Sequence, residues 1–209
     1  ITRPEVAIDA DVVFVGYGIV APKERWDDFK GVDVKGKVLL ILNDDPNTDD
    51  PDFFAGKGRT YYGRWTYKFE EAARRGAAGA IIIHTTPSAG YPWQVVQSSW
   101  SRERYTLLPV PGAPQLPMNS WLTFDAAKNL AALGGHNLEE LIGQAQSRNF
   151  RPVPLGVRVR SLLKNIIRQI ESANVVGILP GSDPTLRNEH IIYTAHHDHF
   201  GIGRPIKGD

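Results

Sequence analysis

The chain has no cysteine among its 209 residues. Disulfide staples and thiolate zinc sites are thereby excluded, although that absence does not fix the compartment. No apolar run approaches the roughly 18 residues that a membrane-spanning helix needs. Neither sign of charge dominates: 24 Lys and Arg stand against 23 Asp and Glu, for a net charge of +1. Nucleic acid is not an expected partner, because phosphate binding takes a concentrated basic surface. No Gly-x-Ser-x-Gly nucleophile elbow occurs, which counts against a carbohydrate or lipid hydrolase on an α/β scaffold. The sequence shows no internal repeat, no low-complexity tract and no basic-then-apolar leader, and it opens on Ile1. The expectation is a processed product or a fragment. The closing run Gly201–Asp209 reads as a loop directly after a strand, as expected of a chain cut short.

What is present suits a globular protein. The apolar fraction is 42% and the charged fraction 22%, and the length fits one large domain or two small ones. Val12-Val13-Phe14-Val15 marks a strand within Asp11–Val20, with Gly16 and Gly18 allowing a bend. Trp26–Gly31 reads as a loop or short turn. Lys37–Asn43 is a continuous apolar run, the pattern of a strand buried on both faces, and Asp44-Asp45-Pro46-Asn47 stops it. Trp65, Phe69, Ala72 and Ala73 fall on one face of a helix. Glu70 with Arg74 and Glu71 with Arg75 form i,i+4 pairs on its exposed side, and Gly76 suits the C′ position. Ala80–His84 is a second buried strand, so this region reads as a βαβ unit.

Ser88–Pro117, rich in proline, glycine and aromatics, reads as irregular loops with one short strand. Thr123 caps a helix running through Leu133. Asn137 with Glu140 forms a capping-box-like start for another, from Leu138 to about Ser147. The two make a helical hairpin. Phe150–Pro154 reads as a linker. Val157-Arg158-Val159-Arg160 alternates as a strand with one wet face. Ser172–Leu179 and His190–Ala195 read as further strands, separated by a turn at Pro180–Pro184.

The chain has six histidines, and His190, His196, His197 and His199 fall within ten positions. Uniform scatter would place about 0.3 there. On an extended backbone His196 and Asp198 share a face and His197 points away. A zinc-bound imidazole needs an acceptor on its second nitrogen, and a carboxylate two residues on supplies one. The pattern therefore makes His196 a metal ligand and Asp198 its orienting partner, at the carboxyl end of a strand where α/β sheets place their sites. His199 faces the loop or the cleft. The competing reading is a set of loop histidines bonded to backbone or water. A catalytic zinc takes three protein ligands, and only one convincing candidate is found here. His84 and His136 lie far away in sequence and read as structural.

These residues resemble a known family. Ser172-Ala173-Asn174-Val175-Val176-Gly177-Ile178-Leu179-Pro180-Gly181-Ser182, followed by Tyr193-Thr194-Ala195-His196-His197-Asp198-His199-Phe200-Gly201, resembles the opening of the co-catalytic zinc aminopeptidases, whose relatives include glutamate carboxypeptidase and the transferrin receptor. Upstream, Val13–Ile19, Asp33–Val38 and Ala72–Ile82 are similar to protease-associated domains.

The fold class implied is α/β: a protease-associated domain, β-rich with flanking helices, then the first strands of a phosphorylase/hydrolase-like zinc peptidase sheet. The implied division is 1–155 for the protease-associated domain with its helical hairpin and 156–209 for an incomplete catalytic domain. The resemblance implies a secreted or periplasmic exopeptidase with two zinc ions, in which His196 binds zinc and Asp198 orients it. Its partners would be a peptide substrate and the remainder of the catalytic domain. Asp209 resembles the aspartate of a Gly-Asp pair and is not assigned as a ligand. Tyr91, Trp93 or Trp100 would supply an apolar wall over the cleft, or else pack in the core. The alternative function is a non-catalytic protein-binding module that retains relict peptidase strands.

Overall fold

The computed structural model describes residues 3–46 and 48–197. The chain divides after Arg168 into two units. The first is a mixed α/β fold built on a five-stranded sheet with flanking helices.

Strand β1 (Glu5–Phe14) starts earlier than its apolar run indicates. Val6, Ile8 and Ala10 alternate with exposed Glu5, Ala7 and Asp9, a period of two that covers one face only. A two-stranded ribbon follows, β2 (Val20–Ala21) with β3 (Trp26–Asp27). Strands β4 (Val38–Leu42) and β5 (Gly79–His84) are buried at every residue, as the unbroken apolar runs require. Strand β6 (Met118–Thr123) follows, then β7 (Val153–Lys164). The order across the sheet is β6-β5-β4-β1-β7. β1, β4, β5 and β6 pair in parallel, and β7 returns antiparallel to β1.

Burial on both faces demands two covering layers. Helix α1 (Trp65–Arg74) lays Phe69 and Ala72 against Leu39, Ile41, Ala80 and Ile82. After the short α2 (Thr86–Ala89), helix α3 (Trp93–Trp100) adds Val96 to that side. The expected loop-and-strand reading of Val95-Val96 is therefore corrected: Trp93, Val96 and Trp100 fall at i, i+3 and i+7, a helical face. Helices α4 (Phe124–Leu133) and α5 (Leu138–Ala145) cover the opposite face with Ala127, Ala131, Leu138, Leu141 and Ala145. Their caps match expectation. Thr123 Oγ1 accepts from the Ala126 N–H, and Asn137 Oδ1 accepts from the N–H groups of Glu139 and Glu140.

The expected boundary at 155/156 falls inside β7, whose twelve residues belong to the first unit's sheet. Cross-strand chemistry accounts for this. Asp9 faces Arg160, Asp11 faces Arg158 and Glu5 faces Lys164, so opposite charges lie across from each other along the outer face. Arg158 pairs with both Asp9 and Asp11.

The second unit begins at Gln169, and its described part ends at His197. The strands expected over Ser172–Leu179 and His190–Ala195 do not form, and every described residue of this unit is exposed. An apolar strand of this composition needs a neighbouring strand and a covering layer, and among the described residues neither surrounds Val175, Val176, Ile191 or Ile192, which are exposed. Among the described residues of this unit a turn follows Asp183, whose Oδ1 accepts from Thr185 and Leu186, and the Glu189 N–H donates to the Leu186 carbonyl at 2.8 Å.

The end of α4 gives a direct check on this packing. A Cβ on Gly134 would lie 1.7 Å from the Leu155 carbonyl oxygen on β7, whereas one on Gly135 would meet open space at a φ of +79°. Gly134→Ala is expected to cost more than about 3 kcal/mol in urea unfolding. Gly135→Ala should cost only the left-handed backbone strain of about 1–2 kcal/mol.

Candidate functional site

The sequence-predicted zinc residues lie in the second unit. His196 and His197 are exposed in a stretch without helix or strand, as is His190. Asp198 and His199 lie outside the described residues, and with them the expected pairing of Asp198 with His196. Among the described residues no group of three or more histidine, aspartate or glutamate side chains is placed to hold a metal ion.

His84 and the aromatics have structural settings. His84 is buried at the end of β5, and its Nε2 lies 3.0 Å from the Tyr91 carbonyl oxygen. Its ring packs edge-on to Trp93 at 5.5 Å. Trp100 meets Trp65 at 5.8 Å and Trp121 at 6.0 Å. Tyr91, Trp93 and Trp100 are all half-buried and pack against the core on the α1 side of the sheet.

The first unit has a polar constellation that sequence reasoning missed. It sits where the chain leaves the carboxyl ends of β1 and β4, the edge where parallel α/β sheets collect their functional loops. Its centre is Lys68 on α1, fully buried. The Lys68 amine donates to the Tyr17 carbonyl at 2.7 Å and to the Asp44 carbonyl at 2.9 Å. It thereby ties the loop after β1 to the loop after β4. Asp44 takes a left-handed backbone, φ +89°, which is uncommon for a residue with a side chain. Its carboxylate is gripped by Arg59 at 3.0 and 3.2 Å.

Two buried carboxyls share this region. Asp28 accepts from the Ile19 N–H and from the Trp26 indole N–H, both at 2.9 Å. Asp45 accepts from the Thr60 N–H at 2.6 Å and from its hydroxyl at 3.0 Å. Asn43 donates to the Ser88 carbonyl at 3.0 Å.

Burial dominates the protonation chemistry. It pushes the Asp28 carboxyl up to about 7, against the pull of the Ile19 N–H and the Lys68 charge. It pulls Lys68 down to about 7, against the attraction of Asp45, Asp28 and Asp44. The Asp45 carboxyl is raised by the same cause. An amine with a pKa near 7 acts as a base only where a substrate proton can reach it. Lys68 has no solvent-exposed surface, so no substrate atom reaches it, and its role is to position the two loops.

One signal for Lys68 was present in the sequence. It falls three residues after Trp65 and four before Ala72, on the apolar stripe of α1 rather than its wet face. A lysine in that register must either reach around to water or find buried oxygen partners. Asp28, 40 positions upstream, is joined to it only by tertiary folding.

No family model, curated protein or solved structure matches this chain.

The cluster generates a stability prediction. Lys68→Met leaves the Tyr17 and Asp44 carbonyls without their donor and removes the positive charge beside Asp28 and Asp45. The expected loss is about 3–5 kcal/mol in chemical denaturation. Because the folded-state pKa of Lys68 is depressed, the unfolded chain binds its proton more tightly between about pH 7 and pH 10. Stability from this group is present at high pH and is lost as pH falls through that window. Asp28, raised, acts oppositely at lower pH: its contribution is lost as pH rises from about 4 to about 7. Denaturation midpoints of the native protein should therefore climb from pH 7 to pH 9.5, and Lys68→Met should flatten the climb.

Proposed function

We propose that this chain carries an accessory unit and the leading residues of a zinc-dependent exopeptidase, an aminopeptidase acting on the free end of a peptide. The observation that carries the proposal is the pair of blocks at 172–182 and 193–201, which stand in the order and spacing of the co-catalytic zinc aminopeptidases and end in His196-His197-Asp198-His199. In this reading His196 is a zinc ligand and Asp198 accepts a hydrogen bond from its second ring nitrogen. The first unit serves as the protease-associated domain, and the protein is secreted or periplasmic.

Two structural features support the reading. The reactive groups of the first unit are occupied: the Lys68 amine is buried and bonded to carbonyls, and His84 is buried against Tyr91 and Trp93. That suits an accessory role. In the second unit Val175, Val176, Ile178, Leu179, Ile191, Ile192 and Tyr193 are exposed, although their sequence pattern is that of strands buried on both faces. Burial against further sheet of the same catalytic domain would satisfy them.

The described residues contribute one imidazole, short of the three protein ligands a catalytic zinc takes. The zinc site as described is incomplete, and no catalytic step is assigned to these residues. In complete sites of this kind the metal lowers the pKa of bound water and stabilises the developing oxyanion.

The second reading is a non-catalytic binding module with relict strands. Zinc content and hydrolysis of aminoacyl anilides, measured together on the full-length natural protein, separate the two. The peptidase reading expects stoichiometric zinc and turnover. His196→Ala should reduce both, with turnover falling about 100-fold or more. Asp198→Asn should cost about 10–100-fold in metal affinity or activity. A full-length protein that is zinc-free and inert supports the binding module, and unchanged zinc and turnover in His196→Ala removes position 196 from the site.

A further inference from the structure

An open groove of the first unit carries a charge that the protein leaves unanswered. It encloses about 440 Å³, inside the roughly 300–1,000 Å³ of small-ligand clefts. Trp65, Tyr91, Val95, Val96 and Trp100 supply its apolar lining. Trp65 and Trp100 meet edge to face at 5.8 Å and form one continuous aromatic wall. Trp100 rests in turn on Phe69 at 5.7 Å and Trp121 at 6.0 Å, so the wall is anchored in the core.

The charged lining is Glu103 and Arg104, and the two are paired differently. The Glu103 carboxylate oxygens accept from Arg168 at 2.7 and 2.9 Å, and one of them also accepts from the Tyr105 hydroxyl at 3.2 Å. Arg168 thus cancels the Glu103 charge. Arg104 lies 3.9 Å over the Trp100 ring and, among the described residues, donates to no carboxylate or carbonyl. Partial burial there pulls its pKa below the ordinary arginine value. The guanidinium stays charged and is fixed in place by the ring, with its fork of N–H groups unused. A carboxylate matches that fork with two parallel hydrogen bonds.

We propose that this groove binds the carboxyl-terminal residue of a peptide, with the terminal carboxylate on Arg104 and an apolar side chain against the aromatic wall and Val95. Charge complementarity commits the groove to this occupant. The ligand must carry one negative charge for Arg104. It must carry an apolar group beside that charge for Trp65, Trp100 and Val95. It must bring no positive charge to face Arg104 and Arg168. A free amino acid fails the last requirement, because its ammonium stands on the same Cα as the carboxylate. In a peptide that nitrogen is a neutral amide. An internal aspartate or glutamate fails the second, because its carboxylate occupies the side chain that would fill the apolar lining. This inference is independent of the peptidase reading, since no residue after Arg168 takes part.

Isothermal titration of the full chain with acetyl-alanyl-phenylalanine tests the site, with tryptophan emission followed in parallel. The blocked amine excludes this peptide as an aminopeptidase substrate. The expected result is saturable one-to-one binding that changes the emission and weakens with added salt. The carboxamide of the same peptide, and free phenylalanine, should each bind at least about tenfold more weakly. Arg104→Gln alters an exposed side chain, so the fold is kept; it should weaken binding of the free acid about tenfold and leave the carboxamide unchanged. His196→Ala should leave binding of the free acid unchanged. Absence of saturable binding at millimolar peptide overturns the proposal. Equal binding of acid and carboxamide overturns it, as does binding that Arg104→Gln leaves intact. Loss of binding in His196→Ala assigns the carboxylate to the histidine-rich segment instead and overturns it too.

Discussion

The Lys68 amine reaches the Tyr17 and Asp44 carbonyls from a position without solvent exposure, and the loops leaving β1 and β4 are arranged around it. Both loops also bury apolar side chains, Val15, Tyr17 and Ile19 after β1 and Phe54 after β4, and the Leu42 N–H donates to the Gly16 carbonyl at 2.8 Å; the Lys68 amine adds a buried donor shared between them. Asp44 carries its carbonyl inward on a left-handed backbone while Arg59 holds its carboxylate at the surface. Asp28 fastens the β2–β3 ribbon to the same region through the Ile19 N–H and the Trp26 indole. The arrangement is costly to desolvate and tightly specified, a combination suited to holding a register rather than to adding net stability.

That constraint bears on function by accounting for the buried charge of the first unit. In the first unit the sheet is covered on both faces, the Lys68 amine is bonded to carbonyls and the His84 ring to a carbonyl. The sequence concentrates its metal-type chemistry elsewhere, in the four histidines from His190 to His199. The proposed division of labour follows: a rigid accessory fold ahead of residues that acquire their partners within a catalytic sheet.

Elements with strong local signals were readable from sequence. The unbroken apolar runs of β4 and β5 allowed only doubly covered strands. The caps at Thr123 and Asn137 placed α4 and α5 within a residue or two. Where the deciding interaction was distant, the reading failed. The β7 strand was split because its ladder of Arg158 and Arg160 against Asp9 and Asp11 joins residues nearly 150 positions apart. Helix α3 was missed because proline and aromatic content outweighed the i, i+3, i+7 spacing of Trp93, Val96 and Trp100. The strands expected at 172–179 and 190–195 had the right composition but, among the described residues, no neighbour to pair with, and pairing, rather than propensity, makes a strand. Of the candidate site, His196 and Asp198 are expectations from residue type and spacing, whereas Lys68 and Asp28, 40 positions apart, are brought together only by folding.

The central claim is that position 196 binds zinc. X-ray absorption at the zinc edge, on the full-length protein and its His196→Gln variant, tests it most directly. The account predicts nitrogen and oxygen scatterers near 2.0–2.1 Å with an imidazole outer-shell signature that weakens in the variant. A spectrum identical in the two proteins, or a protein that retains no zinc after dialysis, would contradict it.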